Sequence, residues 1–216
     1  MVTRVNPADA ISDALQLTVS IEGDGAYGSG ILIDPPAGIV LTSQHVIEEM
    51  TAPRVTAYAG RAGTAKVVAR DKHADLALLY VAELRTPRLR PPRLADVATL
   101  RPGDEVFAIG SPRRLPFTVS RGIVSYVGRE MEGARFLQLD MAINDGNSGG
   151  PVLTRRGEVV GVMSFILRRS QGLAFALPVS YAQASFPGKI PSQIGPADPA
   201  RQAPASTPHM AASAAD

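Results

Sequence analysis

Apolar residues in this chain gather in short runs that turn residues cut apart. "LQLTVSIE" (15–22) alternates apolar and polar side chains. "GSGILID" (28–34), "GIVLTS" (38–43), "RVTAYAG" (54–60), "TAKVVAR" (64–70) and "DLALLYVA" (75–82) follow. After a break come "DEVFAIG" (104–110), "FTVSRGIVSYVGR" (117–129), "RFLQLDM" (135–141), "PVLT" (151–154), "EVVGVMSFIL" (158–167) and "GLAFALP" (172–178). Runs of this length, rich in Val, Ile and Leu and bounded by Gly, Pro, Asp and Asn, read as strands. A helical period is confined to a turn or two after Ser43 and a short piece near 181–186. The pattern predicts an all-β chain of about twelve strands, in barrels or sandwiches rather than βαβ units.

The break at 85–103, "RTPRLRPPRLADVATLRPG", is rich in Pro and Arg. It divides the strands into two sets of about six, so two antiparallel six-stranded barrels are expected, one about 11–84 and the other about 104–186. From 187 to 216 the chain turns to Pro, Ala and Ser, a composition that buries too little apolar surface to order itself. That segment is expected to be a disordered tail.

Composition narrows the chemistry. The chain has 216 residues and no Cys, which excludes disulfides, thiolate metal sites and a cysteine nucleophile. Neither a metal nor another cofactor is expected. The formal net charge is +2, and the Arg pairs at 113–114, 155–156 and 168–169 are scattered and not interleaved with aromatics. They describe a solvated surface rather than a nucleic-acid footprint. No apolar run reaches the ~18 residues of a membrane span. The first fifteen residues lack the apolar core of a signal peptide. As written the chain is expected in the cytoplasm, or in the periplasm or medium if a leader has been removed.

One short stretch raises the question of activity. "DGNSGGP" (145–151) places Ser148 among glycines, which alone describes a tight turn as well as a nucleophile. A serine nucleophile needs a base, a group to orient that base and donors for an oxyanion. Only three histidines are available. His209 lies in the tail and His73 in a charged loop, whereas His45 follows an apolar strand at a small-residue corner, a rigid place for a base. For the orienting carboxylate, Asp75 opens an interior strand and is expected to be buried; Asp140, closing "FLQLD", is second.

Taken together, "TSQHV", "HADLALL" and "GNSGGP", in that order, resemble the His, Asp and Ser motifs of the trypsin-like (chymotrypsin-fold) serine proteases. "GSGILID…GIVLTSQHVI", "EVFAIGSP…TVSRGIVSYVGR" and "FLQLDMAINDGNSGGPVLTRRGEVVGVMSFI…GLAFALP" are similar to the HtrA/Deg branch. The resemblance covers about residues 11–186. It implies a double β-barrel with the active site in the cleft between the barrels, and a catalytic triad of His45, Asp75 and Ser148. The turn Gly146, Asn147, Ser148 would supply the oxyanion hole through the amides of Gly146 and Ser148. By the same resemblance Ser164 hydrogen-bonds the triad carboxylate, and the backbone of 164–166 pairs with substrate. Ala142, Ile143, Phe165 and Ala174 would wall the pocket for the residue preceding the cut. The implied substrates are unfolded or extended polypeptides.

Departures qualify the resemblance. Asn147 stands where digestive relatives have Asp, so no ion pair to a newly cut N-terminus is expected. "GSPRRLPF" replaces the usual "GNPFG" where a regulatory loop is expected, and Asp145 adds charge near the oxyanion donors. The PDZ domains usual in that branch do not fit in the thirty residues after 186, and nothing in the sequence supports the homotrimer that the resemblance allows. The alternative function is a non-catalytic peptide-binding module on a protease fold.

Overall fold

The computed structural model describes residues 6–131, 133–166 and 172–190. The described chain opens with a helix, α1 (Pro7–Gln16), where the strand pattern had been extended back to 15. The reason is local. Asn6 accepts the Ala8 amide at 3.1 Å as an N-cap, and Pro7 takes the first helical position, where its missing N–H costs nothing. Ala10 and Ala14 bury one face, and the first strand begins only at Thr18.

Seven strands form the first sheet: β1 (Thr18–Gly23), β2 (Ala26–Asp34), β3 (Ile39–Ser43), β4 (Arg54–Ala57), β5 (Ala62–Thr64), β6 (Lys66–Asp71) and β7 (Leu76–Tyr80). Their order is β5-β4-β1-β2-β3-β7-β6. The two edge strands, β5 and β6, are consecutive in the chain and separated only by Ala65, whose amide donates to Pro53 O at 2.8 Å. The sheet thus curls until one bent segment serves both edges. Counted as one bent strand, β5 and β6 give the six expected. Six more strands close a barrel in the order β10-β13-β12-β11-β8-β9. They are β8 (Glu105–Gly110), β9 (Thr118–Met131), β10 (Ala134–Met141), β11 (Pro151–Thr154), β12 (Val159–Ile166) and β13 (Ala174–Pro178). A short helix, α2 (Val179–Ser185), follows. The all-β double-barrel architecture is as expected.

Near-continuous apolar strands arise because both strand faces are buried. In β7, Ala77 and Leu79 fill the first sheet's interior while Leu76 and Leu78 face the junction with the second. In β8, Val106 and Ala108 fill the second barrel while Phe107 and Ile109 face the junction. β13 repeats the alternation with Ala174 and Ala176 inside and Phe175 and Leu177 at the junction. The junction is therefore a third apolar core. It locks the two units together, so residues from both can hold one geometry across the cleft. Phe186 and Ile190 belong to that core, Ile190 at 8% exposure, so the folded unit runs past the expected boundary at 186. Residues 191–216 lie outside the described part.

Candidate active site

His45 and Asp75 meet because β3 and β7 pair as far as Ser43 opposite Leu76. One step further, the Gln44 amide donates to Asp75 O at 3.0 Å, extending the ladder to the site. His45 then sits on a single 3-10 turn, Gln44–Ile47. Asp75 closes the β6–β7 turn with φ 51°, a left-handed conformation that Asp tolerates better than most residues. Its carboxylate accepts the His45 amide at 2.8 Å and pairs with His45 Nδ1 at 2.6 Å. With Nδ1–H given to the carboxylate, Nε2 keeps its lone pair and can act as a base. The side chains are 46% and 34% exposed, so Asp75 is less buried than the sequence pattern suggests.

The turn that carries Asp75 has its own anchor. Asp71 Oδ1 accepts the amides of His73 and Ala74, both at 3.0 Å, and Oδ2 accepts Ser185 Oγ at 2.6 Å. The Ser185 hydroxyl first, and then the Ala74 amide, hold the Asp71 carboxyl below its ordinary value of 3.8; the His73 amide and the nearby His73 ring add to the lowering, and partial burial opposes it. A carboxyl lowered in the folded state adds stability above its ordinary value and loses it as the pH falls through the folded value. Ser185→Ala is therefore expected to move the acid-unfolding midpoint upward, as followed by circular dichroism against pH.

Ser148 lies between β10 and β11 in a turn clasped by the first unit. Ser29 donates its amide to Ser148 O at 2.9 Å and its hydroxyl to Gly146 O at 2.7 Å. Thr42 Oγ1 in turn donates to Ser29 O at 2.7 Å, and Ser43 Oγ to Met163 O at 3.3 Å. Within the turn, the amides of Asn147, Gly149 and Gly150 are committed to Asn144 O, Met163 O and Asn147 O at 3.2, 2.7 and 3.0 Å. The amides of Gly146 and Ser148 donate to no acceptor among the described residues. Spare N–H groups in the turn that carries a serine hydroxyl are the kind of donor that stabilising an oxyanion requires. Asn147 is 2% exposed; its Nδ2 donates to Asn144 O at 3.0 Å, and its Oδ1 is buried without a partner among the described residues. Asp145 is exposed, so water screens its charge.

Ser164 enters the site through its backbone. It is the extra residue between Met163 and Phe165, which pair with Ala176 and Phe175 of β13, so the sheet leaves it unpaired. Its carbonyl accepts Ser148 Oγ at 3.1 Å. Among the described residues Ser148 makes no hydrogen bond to His45, and the Ser164 hydroxyl makes none to Asp75.

Beside Ser148 a depression of about 240 Å³ is lined by His45, Ile143, Asp145, Met163, Ser164 and Phe165, among others. Of the four residues expected to wall a pocket, Ile143 and Phe165 line this one. Ala142 is exposed outside it, and Ala174 is fully buried in the second barrel's core. Sequence reasoning did not find Ser29, Thr42, Met163 or Asp71. For Asp71 a signal was present: a carboxylate four residues before Asp75, in a turn, is placed to accept turn amides.

The chain matches the trypsin-like peptidase domain family over residues 28–162. The periplasmic serine endoprotease DegP of Escherichia coli is 40% identical over 160 residues, 71% of this chain and 33% of its own. The putative serine protease HhoB of Synechocystis is 39% identical over 163 residues, 72% of this chain and 38% of its own. This chain thus spans between a third and two fifths of the length of these relatives. Among solved structures, the HtrA-type protease AlgW with tripeptide has a TM-score of 0.76 at 32% identity, covering 83% of this chain and 62% of that one. The serine endoprotease from Yersinia pestis has a TM-score of 0.73 at 32% identity, covering 84% and 65%. With its paired sheets, its His, Asp and Ser motifs in order and these matches, the chain belongs to the trypsin-like serine peptidase family, in the HtrA/Deg branch.

Proposed function

We propose that this protein is a serine endopeptidase that cuts unfolded or extended polypeptides through Ser148, His45 and Asp75. The observation that carries this reading is an oriented imidazole and a serine hydroxyl lining one depression, with two amides of the serine's own turn uncommitted among the described residues. An extended substrate would lie along 164–166 and donate a backbone N–H to Ser164 O. That N–H would take the acceptor on which Ser148 Oγ now rests and release the hydroxyl toward His45. Oγ then attacks the scissile carbonyl carbon as His45 Nε2 takes its proton, and the amides of Gly146 and Ser148 receive the oxyanion. The C–N bond breaks as His45 returns the proton to the leaving amine. Water, deprotonated by the same imidazole, hydrolyses the ester and restores Ser148. Asp75 holds the tautomer and stabilises the imidazolium throughout.

Resting Ser148 on Ser164 rather than on His45 also favours a second reading, a peptide-binding module without catalysis. A fluorophosphonate probe separates the two. Covalent labelling at Ser148 together with cleavage of denatured casein is expected; a protein that binds casein but neither cuts it nor takes up the probe would be the module. The relatives DegP and DegQ are periplasmic endoproteases by name. We extend that compartment to this chain as part of the proposal.

Specificity follows from the pocket walls. Ile143, Met163 and Phe165 are apolar, and the one carboxylate on the rim, Asp145, is exposed. An exposed pair is worth at most about 1 kcal/mol, too little to bring a Lys or Arg side chain out of water. Cleavage after Val, Ala, Ile or Leu is expected, with modest preferences because one methylene is worth only ~1–3 kcal/mol. Mass spectrometry of casein fragments checks this: a dominant Arg or Lys signal would refute the assignment, and Ile143→Gly should widen acceptance toward Phe.

A further inference from the structure

We propose that Asp71 is a positioning residue for the catalytic pair, shaping the turn that delivers Asp75 to His45. The argument begins with the ladder. β6 ends at Asp71, which pairs with Leu76, the first residue of β7. Residues 72–75 must therefore reverse the chain, and the last of them, Asp75, must end in the left-handed region at φ 51°. Many loop shapes close such a gap. Few bring the Asp75 carboxylate within reach of both the amide and the ring of His45, at 2.8 and 2.6 Å.

Two features select that shape. Inside the turn, Asp71 Oδ1 accepts the His73 and Ala74 amides, neither of which takes part in the β6–β7 ladder. Outside it, Asp71 Oδ2 accepts Ser185 Oγ at 2.6 Å, a contact across 114 positions of sequence. Ser185 ends α2, whose Val179 and Ala182 lie in the junction core beside Phe186. The turn is thus tied at its base and braced against the second unit. Asp75 needs this support because its carboxylate takes hydrogen bonds only from His45 among the described residues. The Ser164 hydroxyl, which the family resemblance assigned to that carboxylate, does not donate to it. With no other donor to orient the side chain, its direction depends on the backbone that Asp71 holds.

This inference rests on the protease reading only where activity is the readout, so the test carries a second one. In the full chain, the proton shared by His45 Nδ1 and Asp75 should give a far-downfield line in the ¹H NMR spectrum, absent from His45→Ala. Asp71→Ala should lose that line and lower kcat by about 10²-fold with KM little changed, the loss expected of misplacement without lost contact. Asp71→Asn keeps an Oδ1 for both amides and an Nδ2 for Ser185 Oγ, and should retain both the line and kcat. Should Asp71→Ala melt too low to assay, Asp71→Glu replaces it: the extra methylene displaces the carboxylate from the two amides, and the same losses are expected. A downfield line and kcat that survive in Asp71→Ala or Asp71→Glu would overturn the proposal. If the unaltered protein cuts nothing, the protease reading fails, and the NMR comparison still decides the role of Asp71.

Discussion

Ser148→Ala is expected to abolish peptide cleavage and probe labelling while the protein stays folded. In a protease with an established triad, loss of the nucleophile costs ~10⁶ in kcat. The structural cost is of a different order. Ser148 Oγ makes one hydrogen bond, to Ser164 O, and the backbone bonds that hold the turn, from Ser29 N to Ser148 O and from Gly149 N to Met163 O, survive the substitution. Losing one such bond is worth about 1 kcal/mol, or roughly 2–4 °C in Tm for a chain of this size. Activity and stability should therefore part company. His45→Ala should lose about as much activity, because triad members act as a unit. Casein cleavage at the original rate by Ser148→Ala would remove the nucleophile and with it the proposed function. A large fall in Tm would instead place Ser148 among the structural residues.

Strand identity was legible along almost the whole chain because burial on both faces writes itself as unbroken Val, Ile and Leu. The same feature hid which face goes where. Nothing in "DLALLYVA" distinguishes Leu76 and Leu78, which fill the junction, from Ala77 and Leu79, which fill the first sheet. Helix α1 was missed because its apolar stripe is short and its two buried residues are alanines, although Asn6 and Pro7 form a start signal. The burial of Ile190, four residues past the expected boundary, was not legible because Ile190 is a single apolar residue among Pro, Gly and Lys. Its burial depends on the junction core, not on its neighbours in sequence.

At the site, the side chains that bear the proposed chemistry were legible, and most of those that hold them were not. His45, Asp75 and Ser148 stand in motifs with few competitors, since the chain has three histidines. Ser29 and Thr42 look like ordinary strand residues, and their roles exist only across the junction, where Ser29 grips the Ser148 turn of the other unit. For Ser164 the resemblance assigned the hydroxyl to the triad carboxylate and the backbone to substrate, not the carbonyl to Ser148; the bulge that turns that carbonyl to Ser148 is a property of the β12–β13 register. Ala142 and Ala174 fail to line the depression, Ala142 because it is exposed just past the end of β10. Strand alternation sends Ala174 into the barrel while its neighbour Phe175 faces the junction and stacks on Phe165 at 5.0 Å.

Gly149→Ala is expected to damage both activity and stability, unlike the change one residue before it. Gly149 has φ +84°, where an alanine costs about 1–2 kcal/mol. A Cβ there would also overlap the carbonyl oxygen of Ser29 and Oγ1 of Thr42. Neither can move aside cheaply. The first is backbone of β2, and the second is fully buried and donates to that same carbonyl. Overpacking of this kind costs about 1–3 kcal/mol, so the total is on the order of 2–5 kcal/mol and Tm should fall by roughly 4–20 °C. The site relaxes by pushing the Ser148 turn away from the first unit, which loosens the bonds from Ser29 to Ser148 O and Gly146 O. His45 stays with the first unit and Ser148 leaves with the second, so the hydroxyl and its base separate. A displacement near 1 Å would cost about 10²-fold in rate. Thr42→Ala added to Gly149→Ala removes the side-chain overlap but neither the backbone overlap nor the left-handed strain, and should recover only a minor share. Thermal melts and fluorophosphonate labelling rates decide the matter. Unchanged values for Gly149→Ala would show that the turn is not gripped from across the junction, and nearly full recovery in the double variant would assign the cost to Thr42 rather than to the backbone.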